Sequence, residues 1–271
     1  MTSAASSERA RGTWTQRTRH GYLVETVVGI ALYLLYDELR SRASGSGVVA
    51  LRHGYDVVRW ERAVGMFQEY RIQHAFIHWH GFLSFWNIYY GTIHFALPVI
   101  ALVMLWRRAP ARYVRWRNVL LVMLTLGLLS FWAYPLMPPR FMPRRFGFVD
   151  TAAEFFNFGP QQRVVLVHGV PTAASRAAFG NLFAAMPSLH VGWSTWSALA
   201  LVPVLERRWV QALVLLDPLV TTFAIVVTAN HWILDAVGGW VALGAAWLIV
   251  VGIEQIRGRA RPSVSGPGVQ A

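Results

Sequence analysis

Two short runs in the 271-residue sequence place ionisable side chains where apolar segments begin: Met186-Pro187-Ser188-Leu189-His190 and Asn230-His231-Trp232-Ile233-Leu234-Asp235. In the second, His231 and Asp235 stand four apart, a spacing that stacks them on one face of a helix, with Asn230 as a good N-cap. A carboxylate there accepts the Nδ1–H of His231, fixes the tautomer and leaves Nε2 as an outward lone pair. An imidazole so held is a general base or a nucleophile, and the residues alone leave both roles open. In the first run, proline suits the first helical position. The amides of Ser188, Leu189 and His190 then lack intrahelical partners. Such a helix mouth binds anions; the Ser188 hydroxyl adds a donor and His190 adds a proton. A third run, PPRFMPRR, supplies Arg140, Arg144 and Arg145, whose planar forks match phosphate oxygens. Together these are the parts of a phosphoryl-transfer site.

The elements that must carry these groups are membrane helices. The chain is 55% hydrophobic and 14% charged, with 13 Trp, too apolar for an ordinary soluble domain of its size. Crossing a bilayer takes about 20 apolar residues, and six segments qualify: 20–37, 81–106, 117–135, 188–205, 209–229 and 232–253. The predicted fold is all-α, a polytopic bundle of six transmembrane helices. Residues 56–80 predict an additional amphipathic helix on the interface, with Val57, Val58, Val64, Phe67, Ile72 and Phe76 at helical spacing. The organisation expected is a polar cytoplasmic tail at 1–19, a catalytic domain over 20–255 and a disordered cytoplasmic tail at 256–271. Within the domain, 136–186 is an extracytoplasmic active-site loop. No cleavable signal is evident.

All 25 basic residues are arginine, and the net charge is +12. Topology accounts for it better than nucleic acid does. With the N-terminus inside, Arg9, Arg11, Arg17 and Arg19, then Arg107 to Arg117, Arg207 and Arg208, and Arg257 to Arg261 fall in short cytoplasmic segments. No basic stripe interleaves with stacking aromatics, so nucleic acid is excluded as a partner. The same count of crossings puts Arg140, Ser188, His190, His231 and Asp235 on one membrane face, the extracytoplasmic side of the cell membrane.

The sequence has no cysteine, hence no thiolate nucleophile and no disulfide framework. His74, His78 and His80 have spacing that can bind zinc, but no carboxylate accompanies them, so no metal is expected. His94 lies inside an apolar segment, where it either lines a pocket for the lipid tail or head group or makes a core hydrogen bond to Tyr89 or Tyr90, and His94 and Tyr90 are candidate substrate-binding residues. A transporter would require broken helices at mid-membrane depth, whereas the polar groups here sit at segment ends. An intramembrane serine hydrolase would use Ser188 with His231 and needs an adjacent base and an oxyanion hole.

These residues resemble the type 2 phosphatidic acid phosphatase superfamily over roughly residues 20–255. Its Pro-Ser-x-His motif matches Pro187 to His190, its His-x-x-x-Asp motif matches His231 to Asp235, and its arginine near proline matches Pro138-Pro139-Arg140. The runs GFVDT and NLFAAMPSLH are similar to the branch typified by inositol phosphorylceramide synthase and many bacterial membrane proteins. The resemblance implies that His231 attacks phosphorus to give a phosphohistidine, Asp235 orients it, and His190 protonates the leaving oxygen. Arg140, Ser188 and the Leu189 amide would hold the phosphoryl oxygens. It implies no cofactor, and as substrate a phospholipid or polyprenyl phosphate of the membrane. The chain departs from the phosphatase branch at Leu189, where glycine is frequent, at Ile225, where an arginine is usual, and in having no lysine. The synthase-like branch shares these departures. Arg144, Arg145, Arg163 and Arg176 are the candidates to replace the missing cations, with Asn230 as a further polar group. Head-group transfer and plain hydrolysis of a lipid phosphate or polyprenyl pyrophosphate are both implied reactions.

Overall fold

The computed structural model describes residues 3–43, 45–92, 95–152, 166–167, 170–171 and 181–259. His94, Arg163 and Arg176 lie outside the described residues, as does most of the expected C-terminal tail. The chain divides into two compact units, Met1–Arg42 and Ala43–Ala271. The first is a single helix, α1 (Ser3–Arg42), which runs back through residues expected as a polar tail. Everything that follows concerns the second unit.

That unit is helical: α2 (Gly47–Ala63), α3 (Glu69–Phe76), α4 (His80–Gly91), α5 (Ala96–Arg108), α6 (Pro110–Ala133), α7 (Leu189–Leu201), α8 (Arg208–Val227) and α9 (Ile233–Arg259). Two 3₁₀ turns, at Pro139–Phe141 and Arg144–Phe146, and a small antiparallel pair, β1 (Leu166–Val167) with β2 (Val170–Pro171), fall in the segment joining α6 to α7. Among the described residues four helical stretches are long and apolar enough to cross a membrane: His80–Arg108, Pro110–Ala133, Arg208–Val227 and Ile233–Gly258. The expected crossings at 20–37, in α1, and at 188–205, in α7, are not among them. The 13 residues of α7 rise only about 20 Å, against a hydrocarbon core of roughly 30 Å.

Short as it is, α7 is the centre of the bundle. It packs against α5, α6, α8 and α9, and most of its circumference is buried, from Leu189 and Val191 through Trp196 to Leu201. A helix apolar all round belongs in such a place. Trp196 is fully buried and donates its indole N–H to the Trp116 carbonyl of α6 at 2.9 Å.

The expected single interfacial helix over 56–80 is two helices with a sharp turn between them. After Ala63 the chain closes a Schellman motif: the Gly65 amide donates to Arg62 O at 3.2 Å and the Met66 amide to Glu61 O at 2.7 Å. Gly65 has φ 73°, the left-handed conformation that motif demands and glycine adopts without penalty. The buried face of α2 joins a core made from the expected loop rather than from lipid. Val57 and Val58 pack with Leu136, Met137, Phe141, Met142, Leu182, Phe183 and Trp232. Both ends of the 136–186 segment are therefore core. Leu136 and Ala184 form a parallel bridge, in which the Leu136 amide donates to Phe183 O at 2.8 Å.

Candidate active site

Four helix ends meet beneath this layer: the C-terminal ends of α6 and α8 and the N-terminal ends of α7 and α9. Three polar contacts lock them. Ser130 of α6 donates to Met186 O at 3.0 Å. The Ser188 amide donates to Asp235 O at 2.9 Å, and the Arg140 amide to Ala229 O at 3.0 Å.

The position of His231 comes from the turn that ends α8. The Ala229 amide donates to Val226 O at 2.9 Å, and the Asn230 and His231 amides both donate to Ile225 O, at 2.9 and 3.1 Å. This is the Schellman pattern again, with Ala229 at φ 54° where glycine is usual. His231 therefore precedes α9 instead of lying on it. Asn230 is not its N-cap; that side chain turns back and donates to Thr228 Oγ1 at 2.7 Å. The capping position falls on Trp232, because Asp235, the third residue of α9, reaches back and accepts the Trp232 amide at 2.9 Å. That is half of a capping box. So the i,i+4 proximity of His231 and Asp235 is made by a helix start, not by a helix face.

His231 is 3% exposed and Asp235 fully buried. The His231 Nδ1 lies 2.9 Å from Ala185 O and 3.2 Å from Asp235 Oδ2. A carbonyl only accepts, so Nδ1 carries the hydrogen and Nε2 keeps its lone pair. Two acceptors thus share the work expected of Asp235 alone. Asp235→Asn should accordingly leave the tautomer fixed by Ala185 and lower kcat by roughly 10²-fold, short of the ~10⁴ seen where a carboxylate is the sole orienting group. Steady-state kinetics of that variant check this.

The His190 ring stands 5.2 Å from the His231 ring, centroid to centroid, at 62°. Tyr90 of α4 lies against His190 at 4.4 Å and is 6.1 Å from His231, so it walls the space between them. α7 starts at Leu189, two residues later than expected. Pro187 is outside the helix, and the Ser188 amide is spent on Asp235 O. The amides left without a carbonyl one turn back are those of Leu189, His190 and Val191. The Leu189 side chain faces Gly127 of α6. Ser188 Oγ is buried and has no hydrogen-bond partner among the described residues.

Arg140 is 20% exposed, with its guanidinium over the Phe141 ring at 4.5 Å and Nη1 3.8 Å from Asp150 Oδ1. Its Nε is buried without a partner among the described residues. Asp150 is held in place by its neighbours. Gln73 donates to Val149 O at 2.8 Å and accepts the Val149 amide at 3.0 Å, while Asn87 donates to Thr151 Oγ1 at 3.1 Å. Arg145 is turned to Tyr55, whose hydroxyl accepts from Nη2 at 2.8 Å, and Arg144 is exposed. At Ile225 a fully buried side chain packs with Val191, Val226 and Ala236, so no cation substitutes there. His74 Nε2 is 2.9 Å from Gly147 O and its ring lies on Tyr70. It braces the same segment as Gln73.

Sequence reasoning missed Ala185, Asp150, Trp232 and the carboxylates Glu61 and Glu69. A backbone carbonyl leaves no signal in a sequence, and the partners of the acidic groups lie far along the chain. Trp232 is fully buried, donates to Met137 O at 2.9 Å and packs near Phe67 and Phe148. It anchors the turn that presents His231.

One end of this helical bundle thus carries a histidine pair, an oriented carboxylate and an arginine turn, groups that together can serve phosphoryl transfer. The chain matches the PAP2 superfamily over residues 55–249, a stretch that includes every group just described, and it belongs to that superfamily. Membership marks it as an enzyme of the phosphatase or phosphotransferase kind acting on lipid phosphates in a membrane. No curated protein and no solved structure matches the chain.

Proposed function

We propose that this protein transfers the phosphoryl group of a membrane lipid through a phosphohistidine at His231 Nε2, in the manner of the synthase-like branch. The observation that carries the reading is the pair of acceptors on His231 Nδ1, which leaves Nε2 as the free nucleophile beside His190. Nε2 attacks phosphorus, a P–N bond forms and the bond to the leaving oxygen breaks. His190 gives that oxygen its proton. In the second half, the hydroxyl of an acceptor attacks phosphorus, His190 takes its proton, and the P–N bond breaks to restore His231. With a lipid or polyol hydroxyl as acceptor the protein is a head-group transferase of the inositol phosphotransferase type. With water it is a lipid phosphate or polyprenyl pyrophosphate phosphatase. Arg140, Ser188 Oγ and the first amides of α7 hold the phosphoryl oxygens.

Among the described residues Arg140 is the arginine bound to the turn before His231, and Asp150 faces it. We place the site on the extracytoplasmic side of the plasma membrane, with both termini in the cytoplasm.

The test is the purified protein given a panel of phosphorus-labelled lipids, with and without hydroxyl acceptors, scored for free phosphate against transferred head group. Acid-labile labelled protein is expected with the active lipid. Its absence under rapid quench would remove the phosphohistidine. Ser188→Ala separates this chemistry from acyl transfer: loss of one donor costs about 10²–10³-fold here, whereas a serine hydrolase would be dead. Ser188 Oγ, with no base on it, speaks against the latter.

A further inference from the structure

Two buried carboxyls sit behind the nucleophile, and no step above uses them. Glu61 lies in the last turn of α2 and Glu69 opens α3; both are 0% exposed. The Gly65 turn separates the two helices, and the two carboxyls come together on consecutive amides of α9. Each also holds one amide of α9. The Ile233 amide donates to Glu69 Oε1 at 2.8 Å, and the Leu234 amide to Glu61 Oε1 at 2.7 Å. Trp232 and Asp235, on either side, have their amides on Asp235 Oδ2 and Trp232 O. Every amide from Trp232 to Asp235 is thus taken. This helix start is closed to a phosphate, and the start of α7 is the one that remains.

Glu61 Oε2 and Glu69 Oε2 find no N–H donor among the described residues. With the other oxygen of each carboxyl on adjacent amides of α9, a proton shared between the two would satisfy both. Two touching carboxylates in a dry site cannot both ionise. Burial, and then the neighbouring Glu69, push the Glu61 carboxyl up to about 10; burial raises Glu69 as well. Sharing one proton, the pair keeps a single negative charge. It presents an anionic acceptor to the positive end of α9, where negative charge is favoured.

We propose that Glu61 and Glu69 are positioning residues of the active site: a proton-bridged carboxyl pair that caps α9 across the bundle and thereby fixes Asp235 and the His231 imidazole. The proposal rests on the reading of His231 as nucleophile. The cap reaches the imidazole through two covalent neighbours. Ile233 and Leu234 lie between Trp232, whose amide Asp235 accepts, and Asp235, which accepts from Nδ1. A shift of α9 moves that acceptor directly. The phosphate-holding groups are on α7 and the Arg140 turn, so the cap sets kcat and leaves KM alone.

The experiment compares Glu61→Gln, Glu61→Asp and Glu61→Ala, with the same three at Glu69, in the full-length protein. The readouts are kcat, KM and the single-turnover rate of phosphoenzyme formation from the labelled phospholipid turned over fastest in the panel above. Glutamine supplies an N–H in place of the bridging proton and an oxygen for the α9 amide, so each Gln variant should keep kcat within about threefold of wild type. Aspartate keeps the charge but is one methylene short. Asp and Ala variants should lose roughly 10²-fold in kcat, the cost of misplacing a reacting group by about 1 Å, with KM within threefold. Should the Ala variants fail to fold, the order Gln above Asp still decides. The proposal is overturned if Asp equals or exceeds Gln, if Ala keeps wild-type kcat, or if KM moves instead. Failure of the nucleophile reading looks different: no phosphoenzyme then forms in the wild-type protein.

Discussion

His231→Ala should lower turnover by about 10⁴-fold or more and abolish labelled phosphoenzyme, because the proposed nucleophile is gone and water or an acceptor must attack unaided. The expectation follows from placement. Nδ1 is committed to Ala185 O and Asp235 Oδ2, so Nε2 is the nitrogen available to phosphorus, and His190 at 5.2 Å is too far to substitute without moving its helix. The variant leaves two buried acceptors without their donor, at a cost of about 1–3 kcal/mol, while Asp235 keeps the Trp232 amide. The protein should therefore still insert and unfold cooperatively in detergent at a lower Tm. Turnover measured beside thermal unfolding separates the two effects. Activity within tenfold of wild type in a folded variant would sink the phosphohistidine.

The second large effect is expected at a position with no side chain. A methyl added at Gly239 would stand 2.4 Å from Ser188 O and 3.3 Å from Gly192 N, both backbone atoms of α7 or its cap. A carbon rests about 3.3–3.6 Å from such an oxygen, and backbone cannot swing aside as a side chain does. Gly239→Ala must push α7 and α9 apart by about 1 Å, a misplacement worth roughly 10²-fold in rate, with about 1–3 kcal/mol of overpacking. The Ser188 amide to Asp235 O bond, which sets His190 against His231, stretches in the process. The control lies in the same helix: a methyl at Gly244 meets nothing within 4 Å, so Gly244→Ala should keep wild-type kinetics. Equal behaviour of the two variants would show that close approach of these helices does not set the catalytic geometry.

Both effects bear on how much of this site a reader of the sequence can see. The polar side chains gathered at this end of the bundle were legible: Ser188, His190, His231 and Asp235 are polar groups at the ends of apolar runs, where each has to justify its cost in lipid. Their local geometry was less so. Asn230 has the residue type of an N-cap, yet α9 begins three residues later, because α8 ends in a turn that carries Ala229 and Asn230 around the Ile225 carbonyl. The hydrophobic spacing over 56–80 was real, but one glycine at φ 73° breaks it into two helices. The long segment between α6 and α7 read as loop because its pattern has no period. Its ends are core strands of chain paired with each other and with Trp232.

What the sequence determined by itself is the superfamily, the ionisable groups that mark it and the apolar segments around them. Apolar runs of span length, a basic count with no lysine, and the Pro-Ser-x-His and His-x-x-x-Asp spacings follow from local composition, and local physics reads them. The tertiary structure alone decided which atoms hold which. The Ala185 carbonyl on Nδ1, Asp150 facing Arg140, and the two glutamates on α9 all join residues many positions apart. In a sequence Glu61 and Glu69 look like charges on the wet side of a helix. They are buried because the fold brings them the two unsatisfied amides of a distant helix start, and a buried acceptor is stable only where such a donor waits for it.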